Sequence, residues 1–240
     1  MSSKILLAAG VIAISSSAFA HISVGSGPAP ANKSTKVTFN INHGCTSTGG
    51  TSPDQDTIAI GIDIPAGVTA VRPMPSDFGK PVVARDANST STPKAVTSVV
   101  WTKDDALNLG FDDAYYEITI KATLPNTPFA KLPFVIHQTC RNADNSTHTV
   151  DWVVGDPNEP APNVVIVPAK LNTTGWNKFT IPASTSVAVT DFGAYFGDAQ
   201  IVWKGSAAYT SNPVVAAALT TAGVAALGAL AAGDEIMVKY

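Results

Sequence analysis

The segment from Thr57 to Ile64 constrains the fold more than any other part of the sequence. Its letters, TIAIGIDI, alternate so that the four isoleucines fall on one face of an extended strand. Such alternation predicts a strand that is buried on one side. Similar runs recur along the chain, with glycine and proline between them, at 36–41, 68–74, 96–102, 115–123, 132–138, 149–154 and 164–167. The pattern predicts an all-β fold, an antiparallel β-sandwich of immunoglobulin-like architecture.

The composition agrees with such a fold and excludes one class of partner. Hydrophobic residues make up 45% of the 240 residues, which is enough for a sizeable core, and charged residues make up only 14%. The formal net charge is −3, and there is no run of Lys or Arg. Because nucleic-acid binding requires a basic patch, we expect no nucleic-acid partner.

The first 20 residues have the pattern of an export signal. Lys4 is followed by the apolar run 5–14 and then by Ala18-Phe19-Ala20. A short cationic start, an apolar stretch and small residues before the cut are typical of a cleaved secretory signal. The sequence therefore predicts cleavage after Ala20, a periplasmic or extracellular protein, and a mature chain that begins with His21.

The remaining chain divides into two parts. Residues 21–168 contain the predicted sandwich, and 175–240 form a small α+β extension of unknown role, with strands predicted at 177–181, 199–203 and 235–240. Asn212 and Pro213 are typical of a helix start, and Gly223 is the expected end. The run 214–232 carries no charge, but it is rich in Ala, Thr and Gly and no cation follows it closely. We therefore expect a short packed helix and an apolar loop there, not a membrane span.

Cys45 and Cys140 are the two cysteines of the chain. In an exported protein such a pair favours a disulfide. The bridge would close a loop of 95 residues, which stabilises the fold by roughly 4 kcal/mol on the chain-entropy model. The alternative is a zinc site formed with His43 and His137, although the spacing matches no common zinc finger.

His21 is the most informative candidate for chemistry. At a free amino terminus its amine and its ring Nδ1 can chelate one metal ion. Two nitrogen donors suit Cu(II), which has the highest affinity among the divalent ions of its row. The reference pKa of an α-amine is about 7.7–8.0, so a metal can displace its proton near neutral pH. The alternative is that a histidine merely happens to follow the signal.

Several motifs resemble those of the YcnI-like family of exported proteins, in order and spacing. They are AHIS at 20–23, NHGC at 42–45, DIPAGVTAVRPMP at 63–75, YYEITIKATLP at 115–125, VDWVVG at 150–155 and EPAPNVVIV at 159–167. The tail resembles an extension of some proteobacterial members.

This resemblance implies a β-sandwich that binds one Cu(II) ion through a monohistidine brace. The family's ligands, carried over by motif, are His21, Glu117 and Trp152. Asp112 or Asp113 is the substitute carboxylate if the motif aligns differently. The implied role is to sequester or deliver copper, alongside other periplasmic copper-trafficking proteins, and not to catalyse a reaction.

Two alternatives stay open at this point. A copper oxidase resembling lytic polysaccharide monooxygenases needs a second histidine beside His21, from His43, His137 or His148. A metal-free periplasmic interaction module would instead use residues 175–240 for docking. Motifs of serine hydrolases, zinc proteases and P-loop enzymes are missing from the sequence.

Overall fold

A computed structural model of the protein describes residues 21–45, 56–104, 114–142 and 144–240. The predicted signal at 1–20 and the substitute carboxylates Asp112 and Asp113 lie outside the described residues.

One face of the molecule is a four-stranded antiparallel sheet in the order β1-β3-β8-β5. Its strands are β1 (Ser23–Val24), β3 (Ser34–Ile41), β5 (Thr69–Pro73) and β8 (Tyr116–Thr123). Residues alternate in β8 as predicted, because Tyr116, Ile118 and Ile120 are buried whereas Glu117 and Lys121 are exposed.

The opposing face is a five-stranded antiparallel sheet in the order β11-β10-β4-β7-β6. Its strands are β4 (Thr57–Asp63), β6 (Val82–Arg85), β7 (Val96–Thr102), β10 (Ile136–Arg141) and β11 (Thr147–Trp152). Inward-facing residues of both sheets pack into a single core that includes Phe39, Ile62, Trp101 and Ile118. The structure thus confirms the predicted all-β sandwich.

A small third sheet lies within residues 21–168, and Val165 and Val167 of its central strand pack against the core of the C-terminal part. β2 (Ala29–Pro30) pairs in parallel with β12 (Asn163–Val167), and β12 pairs antiparallel with β9 (Lys131–Pro133). The sequence pattern predicts one strand over 132–138, and this prediction is wrong. Pro133 lacks a backbone N–H, and the chain leaves β12 there and joins β4 as β10.

A disulfide links Cys45 to Cys140, with a Cα–Cα separation of 5.8 Å. It ties the chain beyond β3 to β10 and so joins the two sheets of the sandwich. The predicted pairing is confirmed, and it excludes both cysteines as thiolate ligands of zinc.

The C-terminal part forms a second five-stranded sheet in the order β13-β17-β14-β15-β16. Its strands are β13 (Trp176–Thr180), β14 (Ile201–Lys204), β15 (Ala207–Tyr209), β16 (Ala225–Ala226) and β17 (Glu235–Lys239). A 3-10 helix (Val189–Asp191) leads into α1 (Phe192–Phe196). Together they enclose a second core, to which Phe129 from the sandwich side also belongs.

Helix α2 (Pro213–Thr221) begins as the sequence predicts, with the Asn212 side chain accepting from the Val214 and Val215 N–H groups. It ends two residues before Gly223 and buries none of its residues, so the prediction of a packed helix is wrong. Within the described ranges, none of the helices has the length and apolar character needed to span a membrane.

One end of the sandwich holds a buried ionic cluster. Lys103 and Asp56 form an ion pair at 2.6 Å, and their side chains are 3% and 1% exposed. The Tyr116 hydroxyl donates to Asp56 Oδ1 at 2.8 Å and accepts from Lys103 Nζ at 2.6 Å. Lys103 Nζ also lies 4.1 Å from the centroid of the Tyr116 ring. The cluster satisfies both charges with hydrogen bonds, as burial requires.

Candidate metal site

His21 lies at the edge of the four-stranded sheet, two residues before Ser23 of β1. The Asn42 amide donates to the His21 backbone oxygen at 2.7 Å, and the next residue, Ile22, is 4% exposed within the main core. These two contacts tie the start of the predicted mature chain to the end of β3. The His21 side chain is only partly buried.

Trp152 is the last residue of β11 and is 4% exposed. Its indole N–H donates to Gln138 Oε1 at 3.1 Å. The Gln138 amide nitrogen donates in turn to the His43 backbone oxygen and to Thr57 Oγ1, both at 2.8 Å. Gln138 is fully buried, and both its amide nitrogen and its amide oxygen have hydrogen-bond partners, so its bond to the indole N–H fixes the plane of the ring.

The structure brings His21 and Trp152 together. Their ring centroids are 5.7 Å apart with an interplanar angle of 78°, which is an edge-to-face contact. The imidazole therefore rests against a rigid, buried indole at the edge of the sandwich. The indole excludes water from the side of the imidazole that it contacts.

Within the described ranges, no hydrogen bond or ion pair joins Glu117 to His21. Glu117 lies on the outward face of β8 and accepts a hydrogen bond from the Tyr115 hydroxyl at 3.0 Å. It lines a cleft of about 340 Å³ with Met74 and Asp77, which follow β5. This cleft is on the side of β8 away from β3 and β1, whereas Trp152 faces the core from the opposing sheet.

The other histidines occupy three different places. The ring of His43 contacts the Gly44 carbonyl, and its backbone is joined to Trp152 through Gln138. His148 pairs with Cys140 across β10 and β11. His137 lies on the outward face of the five-stranded sheet, with Nδ1 at 2.7 Å from Asp151 Oδ1 and Nε2 at 3.3 Å from Asp63 Oδ2. The hydrogen bond to Asp151, with a further contribution from Asp63, raises the pKa of His137 above its ordinary value.

Among the described residues, no three His, Cys, Asp or Glu side chains converge on a point that would hold a metal ion. A histidine brace does not need such a cluster, because one residue supplies two of the donors. The described geometry around His21 is therefore compatible with a brace once the amine is free.

Sequence reasoning missed Gln138 and Asn42, which position the pair. The sequence did contain a signal for Gln138. It alternates in phase with Ile136 and Cys140, on the buried side of β10, and a glutamine at a core position needs hydrogen-bond partners. Asn42 carried no comparable signal, because its partner is a backbone oxygen 21 residues away.

The fold and the site define a class: a disulfide-linked antiparallel β-sandwich with a histidine at its edge. The chain belongs to the family described as a domain of unknown function, DUF1775, whose model matches residues 21–166. No match was found among curated proteins.

Two solved structures are similar to the chain. An uncharacterized protein from Nocardia farcinica, described as revealing an immunoglobulin-like fold, is 22% identical; the match covers 61% of this chain and 97% of that one, with a TM-score of 0.44. The major pilin subunit BcpA of Bacillus cereus is 11% identical; the match covers 71% of this chain and 48% of that one, with a TM-score of 0.34.

Proposed function

We propose that the protein is an exported copper-binding protein that sequesters or delivers Cu(II) through a chelate formed by its amino-terminal histidine. The observation that carries the proposal is the contact between His21 and Trp152. It sets the first residue of the predicted mature chain against a buried aromatic wall.

The donors suit the cargo. Cleavage after Ala20 would give His21 a free amine next to its ring Nδ1, and Cu(II) prefers such nitrogen donors. Trp152 is a poor donor, and its Nε1 already serves Gln138, so its role is to shield the ion and attract it through the ring face. A shielded ion with few open positions suits storage or transfer better than oxygen activation.

The third ligand is where the resemblance and the geometry differ. The resemblance implies Glu117, a carboxylate that would offset part of the charge of the ion. In the structure Glu117 accepts a hydrogen bond from the Tyr115 hydroxyl, and no described contact joins it to His21. We therefore assign the tight binding to His21 and the shielding to Trp152.

Export has one structural support. The Cys45–Cys140 disulfide is a feature of oxidising compartments. A periplasmic location, where other copper-trafficking proteins would be donors or acceptors, follows from the signal pattern at 1–20.

The test is a titration of the mature protein with Cu(II), in which calorimetry and tryptophan fluorescence report the binding. His21→Ala is expected to weaken binding at least 100-fold, because it removes the imidazole donor and leaves the amine without its chelating partner. Trp152→Phe is expected to weaken it a few-fold and to remove most of the fluorescence quenching. His137→Gln, a histidine on the far face, is the matched control and should bind as the wild type does.

Glu117→Gln separates the two accounts of the third ligand. Since no described contact joins Glu117 to His21, we expect its loss to change the affinity less than threefold. A loss of tenfold or more would show that the carboxylate moves to the ion, as the resemblance implies. Wild-type affinity in His21→Ala would rule out the brace altogether.

The oxidase alternative requires a second imidazole at the ion. His137, bonded to two carboxylates on the outward face, is poorly placed for that role. Peroxide production that depends on a reductant and on bound copper would favour the oxidase.

A further inference from the structure

A row of three cations crosses the outward face of the four-stranded sheet. Lys36 of β3 lies directly opposite Lys121 of β8, and Lys121 lies directly opposite Arg72 of β5. All three residues are exposed, while their chain neighbours Val37, Ile120 and Val71 are buried, so the cations share the outward face. Directly opposed residues in a sheet have Cβ atoms about 5 Å apart, and like charges at that distance destabilise the pair.

The row ends beside a cavity of about 420 Å³ at the edge of the sandwich, where β5 and β6 are the edge strands. Arg72 lines it from one sheet, and Arg85 and Lys94 line it from the other side. Ser91 also lines the cavity. Five cations therefore lie in or lead into one place, on a protein whose net charge is −3.

None of these cations is neutralised by the described part of the chain. The ion pairs in the described ranges involve Lys103, Lys131, Lys170, Lys178, Lys204 and His137. Arg85 donates to the Lys94 backbone oxygen at 2.6 Å, and Lys94 Nζ donates to the Ala87 backbone oxygen. These bonds orient the two side chains without cancelling their charge.

The cavity is not only cationic. Val68, Val71 and Val96 line it as well and add apolar surface. A volume of this size is typical of small-molecule pockets. A ligand that matches both features has a compact, multiply charged anionic group attached to a small carbon skeleton.

We propose that this cavity binds a phosphate monoester of a small alcohol or sugar. The phosphate carries a charge near −2 at neutral pH, and a planar guanidinium binds it through two parallel hydrogen bonds. Arg72 and Arg85 hold the phosphate oxygens, and Lys94 with Lys121 adds positive charge. The carbon skeleton lies against the valine side chains.

The test uses the full mature protein, freed of metal by dialysis against a chelator. sn-Glycerol 3-phosphate is the soluble probe, with inorganic phosphate, glycerol and vesicles of phosphatidylglycerol or phosphatidylcholine in parallel arms. Calorimetry is expected to show binding of glycerol phosphate, with weaker binding of inorganic phosphate and none of glycerol. Arg72→Gln and Arg85→Gln are each expected to weaken the binding at least tenfold. Lys178→Gln, which changes an exposed cation of the C-terminal sheet, is the matched control.

Four outcomes would overturn the proposal. They are no binding of glycerol phosphate at millimolar concentration, equal affinity in the two arginine variants, equal affinity for inorganic phosphate, and binding to phosphatidylglycerol vesicles alone. The His21→Ala protein should bind the probe as the wild type does. The result is therefore independent of whether the copper proposal holds.

Discussion

The two outward faces of the sandwich carry their charges in opposite ways. On the five-stranded sheet, His137 lies between Asp151 and Asp63 and bonds to both. On the four-stranded sheet, Lys36, Lys121 and Arg72 lie in one row with no carboxylate among them. Folding alone explains the His137 group, because its charges have partners of opposite sign within the sheet. It does not explain the row of three cations, and this difference is why we assign a ligand beside that row.

The largest effect of an unpaired charge is expected in the interior of the sandwich, where water does not solvate the charge. Lys103→Met would remove the ammonium that lies 2.6 Å from the buried Asp56 carboxylate, and we expect a loss of about 3 kcal/mol in the free energy of unfolding. Urea unfolding measures this directly.

Lys131→Met is the matched control, because it breaks an exposed ion pair, with Asp191. Its cost should stay below about 1 kcal/mol. The double variant Lys103→Met/Asp56→Leu should regain most of the lost stability. An equal loss of stability in Lys103→Met and Lys131→Met would contradict the account, because it would show that burial does not increase the cost of removing one partner of an ion pair.

The His137 group on the five-stranded sheet predicts that the stability of the protein depends on pH, with an effect smaller than that of Lys103→Met. The pKa of His137 is raised in the folded state above its ordinary value of 6.5, chiefly by the bond to Asp151. Its contribution to stability is therefore full below that ordinary value and is lost as the pH rises through the higher folded pKa.

His137→Asn is thus expected to cost most at about pH 6 and little at about pH 9, with a maximum near 1 kcal/mol because the group is partly exposed. Urea unfolding of both proteins across this range gives the difference directly. A cost that does not change with pH would mean that His137 contributes through packing and not through its charge.

The row of three cations on the four-stranded sheet predicts the smallest effect on stability. Here a substitution is expected to stabilise the protein. Lys121 is the middle cation of the row, so Lys121→Gln removes two like-charge contacts at once. We expect a gain of about 0.3 kcal/mol in the free energy of unfolding at low salt, and none at high salt. The same variant should bind glycerol phosphate more weakly than the wild type. Loss of stability at low salt would contradict the idea that the row is strained by its own charge.

The sequence predicted the strands well wherever residues alternate, as in β4, β7 and β8, because burial on one side imposes a period of two. It failed at Pro133, where the chain moves from one sheet to another, since nothing local shows which partner strand comes next. The Lys103–Asp56 pair was missed for the same reason, because the two residues are 47 positions apart.

The candidate site shows the same limit. Glu117 is exposed in β8, and Trp152 lies on the side of β11 opposite Asp151, as alternation along a strand requires. What parity alone cannot supply is the contact between different sheets, the stacking of one on the other. That stacking brings Trp152 to His21.

The central claim is that the amine of His21 takes part in copper binding. The most direct measurement compares Cu(II) affinity of the mature protein with that of the same protein carrying one alanine ahead of His21. This addition keeps every side chain but removes the free amine from His21. We predict a loss of affinity of at least 100-fold, and equal affinity in the two proteins would contradict the account.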